Sequence, residues 1–389
     1  MSGKKPDTNN ERLSKRLLFD AGKVFTMTDS AKTGVLLMSY GTPKSQEDIE
    51  AFYTDVRRGR PPSREQLDEL VQRYQLIGGT SPLTKKTYQQ IEAISSRLDS
   101  LSPGKYLVVY GTKHSSPKIE EAVQELADAK VSSLIGMVFA PHYSRFSIGE
   151  YLERAQKVAA ASEIKCRFIK SFALDGKLLD FLTDQIRSEL NKHINQIVLL
   201  RKSRTFGDSL SSPDKIMILI TAHSLPRHLV TNGDPYIDEL NSTAAAIAKK
   251  LGLGSESEFV ELSLLKDKLV EKGDSEPERE RFDLLEDIEI SWQIAWQSAG
   301  KTDQEWLGPD ILTVIKDLSE REITDVIICP AGFMADHLEV LYDIDIDGQK
   351  LAKNLGVALS RTESVNDNLM VMNSLAEKIH ELAADFDSN

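Results

Sequence analysis

Glu339, Asp343 and Asp347 recur every four residues in the segment 332–347, just past an apolar run at 326–329 that Pro330 closes. If the segment is helical, that spacing stacks three carboxylates along one face, drifting slowly round the axis. Like charges so placed destabilise a helix unless something neutralises them, so the ladder asks for a cation. A solvated face in an acidic protein is the plainer alternative. A second group lies far upstream: His223, in Thr221-Ala222-His223-Ser224-Leu225-Pro226, follows the apolar run 216–221. An imidazole facing Glu339 could hold a borderline divalent metal such as Fe(II). It could equally take protons from a ligand that must lose them before metallation. Taken alone, His223 could as well be a loop histidine bonded to backbone.

Arg57, Arg58 and Arg60 crowd the stretch 55–62, and Arg73-Tyr74 and Ser81 follow. Guanidinium forks bind carboxylates in bidentate fashion. In a chain of net charge −12 their concentration suggests a polyanionic ligand, with a solvated basic patch or internal salt bridges as the alternative. Tyr40 precedes Gly41, where backbone can approach a ligand closely, so its phenolate oxygen could ligate a metal. Anchoring a loop would use the same residue. His337-Leu338-Glu339 lacks the His-Glu-x-x-His spacing of zinc proteases. No Gly-x-Gly-x-x-Gly follows a strand and no Walker loop is present, so nucleotide binding has no support.

Short apolar runs at 35–38, 106–110, 134–140, 164–169, 216–221 and 326–329 read as strands. Between them, amphipathic stretches at 46–56, 82–98, 116–129, 148–161, 177–190, 235–251 and 309–318 read as helices. This alternation predicts an α/β protein with parallel sheets covered on both faces, which bind ligands at the carboxyl ends of their strands. Three of the seven histidines, His114, His142 and His223, fall just past strand ends. Residues 201–214 (Ser-rich and basic) and 254–289 (mainly acidic) carry no site pattern and read as inserted solvated loops or appended helices.

A chain of 389 residues has room for two ordinary domains or one two-lobed domain. Its negative charge argues against nucleic-acid binding. No apolar run is long enough to span a bilayer and no signal-peptide pattern opens the chain; Asp7, Glu11 and Asp20 argue against a transit peptide. Cys166 and Cys329 are too few for a disulfide framework or for the four thiolates of an iron–sulfur cluster. A cytoplasmic protein without a membrane anchor is expected.

The motifs Ser39-Tyr40-Gly41-Thr42-Pro43, Arg57-Arg58-Gly59-Arg60, Ile77-Gly78-Gly79-Thr80-Ser81-Pro82-Leu83, Ala140-Pro141-His142-Tyr143-Ser144, Thr221-Ala222-His223-Ser224-Leu225-Pro226, Trp296-Gln297-Ser298, Trp306-Leu307-Gly308-Pro309 and the block 332–342 resemble ferrochelatases. The likeness is nearest to the coproporphyrin ferrochelatases of Gram-positive bacteria and runs in order from about residue 34 to 350. It implies two Rossmann-like lobes, each a parallel sheet flanked by helices, with a porphyrin cleft between them. The lobes would be 33–142, joined by a C-terminal helix 367–385, and 143–366 with its two insertions, after a mobile extension at 1–32. It also implies insertion of Fe(II) into a porphyrin with release of two protons, as a step of haem biosynthesis. His223 and Glu339 would form the metal site, His223 also taking up pyrrole protons. Asp343 and Asp347 would form an outer acidic path, and Tyr40 would ligate the product iron from the other face. Tyr40, Arg57, Arg58, Arg73, Tyr74, Ser81, Lys113, His114 and Tyr151 would contact the porphyrin. Fe(II) is then a substrate, no cofactor is permanently bound, and partners beyond the substrates are transient haem-pathway enzymes.

Protoporphyrin-type enzymes of the family usually carry a methionine where this chain has Tyr40. Coproporphyrin has four propionates against protoporphyrin's two, which suits the arginine group. Coproporphyrin III is therefore the expected substrate, with protoporphyrin IX insertion or a non-catalytic haem or porphyrin carrier as alternatives. The chain departs from the family pattern in its N-terminal extension, its two insertions, and Ser115-Ser116-Pro117 after His114.

Overall fold

The computed structural model describes residues 32–203, 213–230, 233–265, 287–300 and 302–387. The expected extension at 1–32 lies outside them except for Lys32, as do 204–212 and 266–286 within the two expected insertions.

The first sheet is wholly parallel, in the order β2-β1-β3-β4, from β1 (Thr33–Ser39), β2 (Tyr106–Thr112), β3 (Ser133–Val138) and β4 (Lys165–Ile169). Thr-Gly-Val-Leu-Leu-Met-Ser lies at its centre because every residue of β1 is buried, as a strand covered on both faces requires. Its helices are α1 (Ile49–Val56), α2 (Arg64–Leu76), α3 (Leu83–Leu101), α4 (Ile119–Asp128) and α5 (Ile148–Ala161). Ser63 starts α2 with a capping box: its hydroxyl accepts from the Gln66 N–H at 3.2 Å, and the Gln66 side chain accepts from the Ser63 N–H at 3.0 Å.

A long helix, α6 (Gly176–Ser203), leads to the second sheet. Its strands are β5 (Asp214–His223), β6 (Val260–Glu261), β7 (Ile288–Gln297), β8 (Asp325–Cys329) and β9 (Ala358–Arg361), in the order β6-β7-β5-β8-β9. Only β6 runs antiparallel. The described helices here are α7 (Arg227–Val230), α8 (Tyr236–Leu251), α9 (Ile311–Glu320), α10 (Leu338–Leu341), a π-helix (Asp343–Gly348) and α11 (Gln349–Leu355), whereas α12 (Leu369–Asp387) packs against α3 and β3 of the first lobe and against α6. The protein is thus α/β, with two parallel-dominated sheets flanked by helices. Among the described residues no helix is long and apolar enough to cross a membrane.

Three expectations need correction. A boundary at 142/143 would cut α5 and β4 from the sheet to which β4 is paired, so the first sheet extends to Ile169. The stretch 254–289 is not simply a loop or an appended helix: β6 lies within it and β7, a neighbour of β5 along its whole length, begins at its end. Finally, α6 runs past 190 to Ser203, into the start of the other expected insertion.

Candidate active site

A cavity of about 430 Å³ lies where residues following β1 and β3 of the first sheet meet residues ending β5 and following β8 of the second. That size falls within the usual range of ligand pockets, roughly 300–1,000 Å³. Leu70, Phe139, Phe146, Leu225, Phe333 and Leu338 give it apolar walls. Its mouth lies at the carboxyl ends of the strands, where an open parallel sheet leaves backbone and side chains free of the ladder.

His223, the last residue of β5, and Glu339, in the first turn of α10, meet across this cavity with Nε2 and Oε2 3.5 Å apart. The His223 Nδ1–H donates to the Ser224 carbonyl, which fixes the tautomer and turns Nε2 toward Glu339. His337, which the motif reading left without a role, brings its own Nε2 to 3.7 Å from the same Glu339 oxygen, while its Nδ1–H donates to the Ala335 carbonyl at 3.0 Å. Desolvation pulls the His223 imidazole down, but the Glu339 carboxylate and the Ser224 carbonyl outweigh it and raise its pKa from 6.5 to about 9. Glu339 answers in the other sense: burial pushes it up, and the positive charge and hydrogen bonds of His223 and His337 hold it well below the carboxylate range.

Backbone contacts bring the pair together. Gly332 lies so close to β5 that an added Cβ would stand 2.5 Å from the Ala222 Cβ, and its N–H donates to the Thr221 carbonyl at 2.9 Å. Gln297, at the end of β7 and fully buried, accepts from the Thr221 hydroxyl and donates from Nε2 to the Glu339 carbonyl at 3.3 Å. Trp296-Gln297-Ser298 stood out as a motif, but its role was not legible because the pairing of β7 with β5 was unseen.

Tyr40 enters from the first lobe, directly after β1, and is 43 % exposed within the open cleft. Burial of its hydroxyl and the negative charge of Glu339 raise its phenol above the ordinary tyrosine value. The His114 ring stands 4.6 Å behind it, centroid to centroid, and the His114 Nδ1 pairs with Asp55 at 2.7 Å.

The acidic ladder continues from Glu339 along the π-helix rather than an α-helix: the Asp347 N–H bonds the Tyr342 carbonyl five residues back at 2.9 Å. Asp343 accepts from the Ser298 hydroxyl, and burial raises its pKa from 3.8 to about 6. Asp345 points elsewhere and forms a two-pronged pair with Arg361 at 2.8 and 2.9 Å.

The residues expected to contact a porphyrin divide into two groups. Tyr40, Tyr74, Ser81, Lys113 and Tyr151 line the cavity, with the Lys113 ammonium 5.1 Å from the Tyr151 ring centre and 2.8 Å from Glu150. Arg57, Arg58, Arg73 and His114 stand outside its wall. Arg57 stacks over Tyr53, itself a wall residue, at 5.5 Å. Arg58 is exposed beyond the end of α1 with a left-handed φ of 57°. Arg73 is held at the acidic ladder instead: it bonds Glu69 at 2.9 Å, lies 4.8 Å over the Tyr342 ring, and approaches Asp343 to 3.9 Å. His114 reaches the cavity through Tyr40 and Phe52, wall residues whose rings stand 4.6 and 6.4 Å from its own.

The Ferrochelatase family model matches residues 32–383. The chain belongs to the ferrochelatase family. Ferrochelatases are metal-chelating lyases, and this chain is an enzyme of that class. The curated relatives of this ferrochelatase include coproporphyrin III ferrochelatase 1 of Bacillus cereus, 33% identical over 351 residues that cover 90% of this chain and 96% of that one. The coproporphyrin III ferrochelatase of Geobacillus kaustophilus is 33% identical, covering 89% and 94%. A protein named ferrochelatase from Herpetosiphon aurantiacus is 33% identical, covering 87% and 95%.

Proposed function

We propose that this ferrochelatase inserts Fe(II) into coproporphyrin III, releasing two protons, in haem biosynthesis. The observation that carries this reading is the meeting of His223 and Glu339 at 3.5 Å in a cavity that also receives Tyr40 from the other lobe. A flat macrocycle held between them would present its ring nitrogens to both. Support for the four-propionate substrate comes from the names of the Bacillus and Geobacillus relatives. It comes also from Tyr40 in the place of a methionine, and from Lys113 in the wall with Arg57 and Arg58 nearby.

In the resting site His223 carries a proton at neutral pH and Glu339 is ionised, so the pair is an ion pair rather than an open ligand set. Fe(II) arriving at Glu339 cancels the charge that holds the His223 proton in place. The imidazole then releases it, and its Nε2 becomes free to bind metal or to accept a pyrrole proton. Desolvation, which favours neutral imidazole, works in the same direction once the carboxylate is engaged. Asp343, closely followed by Asp347, would pass hydrated iron inward, and Tyr40 would take up the metal on the other face of the product. Iron is a substrate throughout, and no resident cofactor enters the proposed reaction.

Anaerobic incubation with Fe(II) and either coproporphyrin III or protoporphyrin IX tests the proposal, read as the absorption change on metallation. Faster insertion into coproporphyrin III is expected. A preference for protoporphyrin IX overturns the substrate, and inactivity with both, porphyrin binding being intact, leaves a carrier.

A further inference from the structure

Gln90 is the feature of the cleft that neither the motifs nor the proposed chemistry absorbs. It sits on α3 in the first lobe, is fully buried, and lines the cavity. Its Nε2 donates to two backbone carbonyls, Met334 at 2.9 Å and Asn366 at 2.8 Å. Both belong to the second lobe. Carbonyls only accept, so the amide nitrogen must face them, and Oε1 is left buried with no partner among the described residues. A buried polar atom without a partner costs stability. An apolar side chain would avoid that cost, so the two donated bonds are the reason for a glutamine here.

The segment that receives those bonds leads straight into the metal side of the cleft. Met334 is followed by Asp336, His337 and Glu339. Within its own lobe the segment is already laced. The Asn366 N–H donates to the Met334 carbonyl at 2.9 Å, and Asn366 Nδ2 donates to Asp336 at 2.9 Å. The Asp336 N–H donates to Asn366 Oδ1 at 3.0 Å, and Ser364 and Arg361 also donate to the Asp336 carboxylate. Asn366 holds a left-handed φ of 46° within this lacing. The local shape of the loop therefore does not need Gln90. What Gln90 adds is a tie from this laced unit to the lobe that carries Tyr40.

We propose that Gln90 is a positioning residue for metal insertion: it sets the separation of His223 and Glu339 from Tyr40 by pinning the 334–337 segment to α3. The inference rests on the ferrochelatase reading above and extends it to a residue that need not touch iron. Loss of the tie leaves both lobes folded and joined while the segment leading from Met334 to Glu339 shifts against α3, and a misplacement of about 1 Å can cost about 100-fold in rate.

Gln90→Leu removes both donors at similar volume. It is expected to lower kcat about 10- to 100-fold while KM for coproporphyrin changes less than about 3-fold. The absorption spectrum of bound ferric coproporphyrin should lose its phenolate-to-iron charge-transfer intensity, because Tyr40 no longer reaches the metal. Gln90→Glu supplies a second test. Ionised, its carboxylate faces two carbonyls, whereas protonated it regains one donor. The ratio of its kcat to that of the wild type should therefore rise as pH falls from 8 to 6. If Gln90→Leu does not fold, Gln90→Glu carries all three measurements. A lower melting temperature with wild-type kcat and wild-type spectrum overturns the proposal and leaves Gln90 a structural tie. Wild-type protein that metallates no porphyrin removes the ferrochelatase reading and this inference together, whereas equal activity of wild type and variants removes only the inference.

Discussion

His223 and Glu339 hold each other's charge, and the sign of that coupling can be measured directly. The His223 pKa stands above its ordinary 6.5, at about 9, because Glu339 outweighs desolvation. The stability contributed by the raised His223 pKa is therefore full below about 6.5 and fades as pH rises through about 9, whereas the lowered Glu339 pKa contributes stability that is lost in acid. Glu339→Gln removes the opposing charge and leaves the desolvation, so the His223 ring should titrate at or below 6.5 in that variant. A ring-proton NMR titration of the metal-free protein decides this; an unshifted midpoint near 9 would mean that another group raises it. Asp343 loses stability in the same direction over a lower window. Its carboxyl is raised from 3.8 to about 6 by burial, so the fold weakens progressively as pH climbs from about 3.8 to about 6. Asp343→Asn should raise the stability above pH 6 by about 3 kcal/mol, read as a higher melting temperature, and leave it unchanged below pH 4. The same variant should raise KM for Fe(II) several-fold with a smaller effect on kcat, and a fall in kcat alone would argue against a role in iron supply.

At the scale of elements, the loop from β8 to α10 is where sequence and geometry join. Gly332 allows the loop to lie against β5, and Gly332→Ala places a Cβ at 2.5 Å from Ala222 and 2.8 Å from its backbone. Backbone cannot yield as a flexible side chain would, so the loop must move. A cost of about 1–3 kcal/mol in stability is expected, together with a drop in kcat as Glu339 leaves His223. Wild-type kcat in a folded Gly332→Ala protein would show that the two residues tolerate separation. His223 and Glu339 could be paired from sequence because each comes after a short, uninterrupted apolar run that reads as a buried strand. Less of the frame around them was legible. The strand β7 places Ile, Ile, Trp, Ile and Trp at alternate positions, with Glu, Ser, Gln and Ala between them, behind a mainly acidic stretch, and without it Gln297 and Ser298 had no place. The helix α2 has few apolar residues in Arg-Glu-Gln-Leu-Asp-Glu-Leu-Val-Gln-Arg-Tyr-Gln-Leu, so the sequence could not decide between the expected porphyrin contact of Arg73 and the internal ion pairs it makes with Glu69 and, at 3.9 Å, Asp343. The π-helix was invisible because carboxylates four residues apart share a face in either helix.

The described residues form one compact unit around the cleft. A continuous apolar core runs from Leu37 of β1 through Leu182 of α6 and Leu375 of α12 to Ile218 of β5, and α12 packs on both α3 and α6. Cross-lobe bonds fix the back of the cleft: the Tyr143 N–H donates to Glu239 at 2.7 Å, the Arg145 N–H donates to Asp234 at 2.7 Å, and His142 Nε2 pairs with Thr243 at 2.9 Å. With the walls so fixed, approach of the two substrates is governed by charge more than by opening. The chain carries a net charge of −12, and in the proposed reaction Asp343 and Asp347 would face the incoming iron while Arg57, Arg58 and Lys113 would face the porphyrin. A dication is drawn toward such a surface, whereas a tetra-anionic porphyrin meets attraction only at the basic side and repulsion from the remainder. Raising ionic strength from about 10 mM to about 300 mM shortens the screening length from about 30 Å to well under 10 Å. The kcat/KM for Fe(II) should fall over that range, and its ratio to the kcat/KM for coproporphyrin III should fall with it. If both constants fall by the same factor, salt acts on the bound state, and steering by the acidic ladder plays no part in iron delivery.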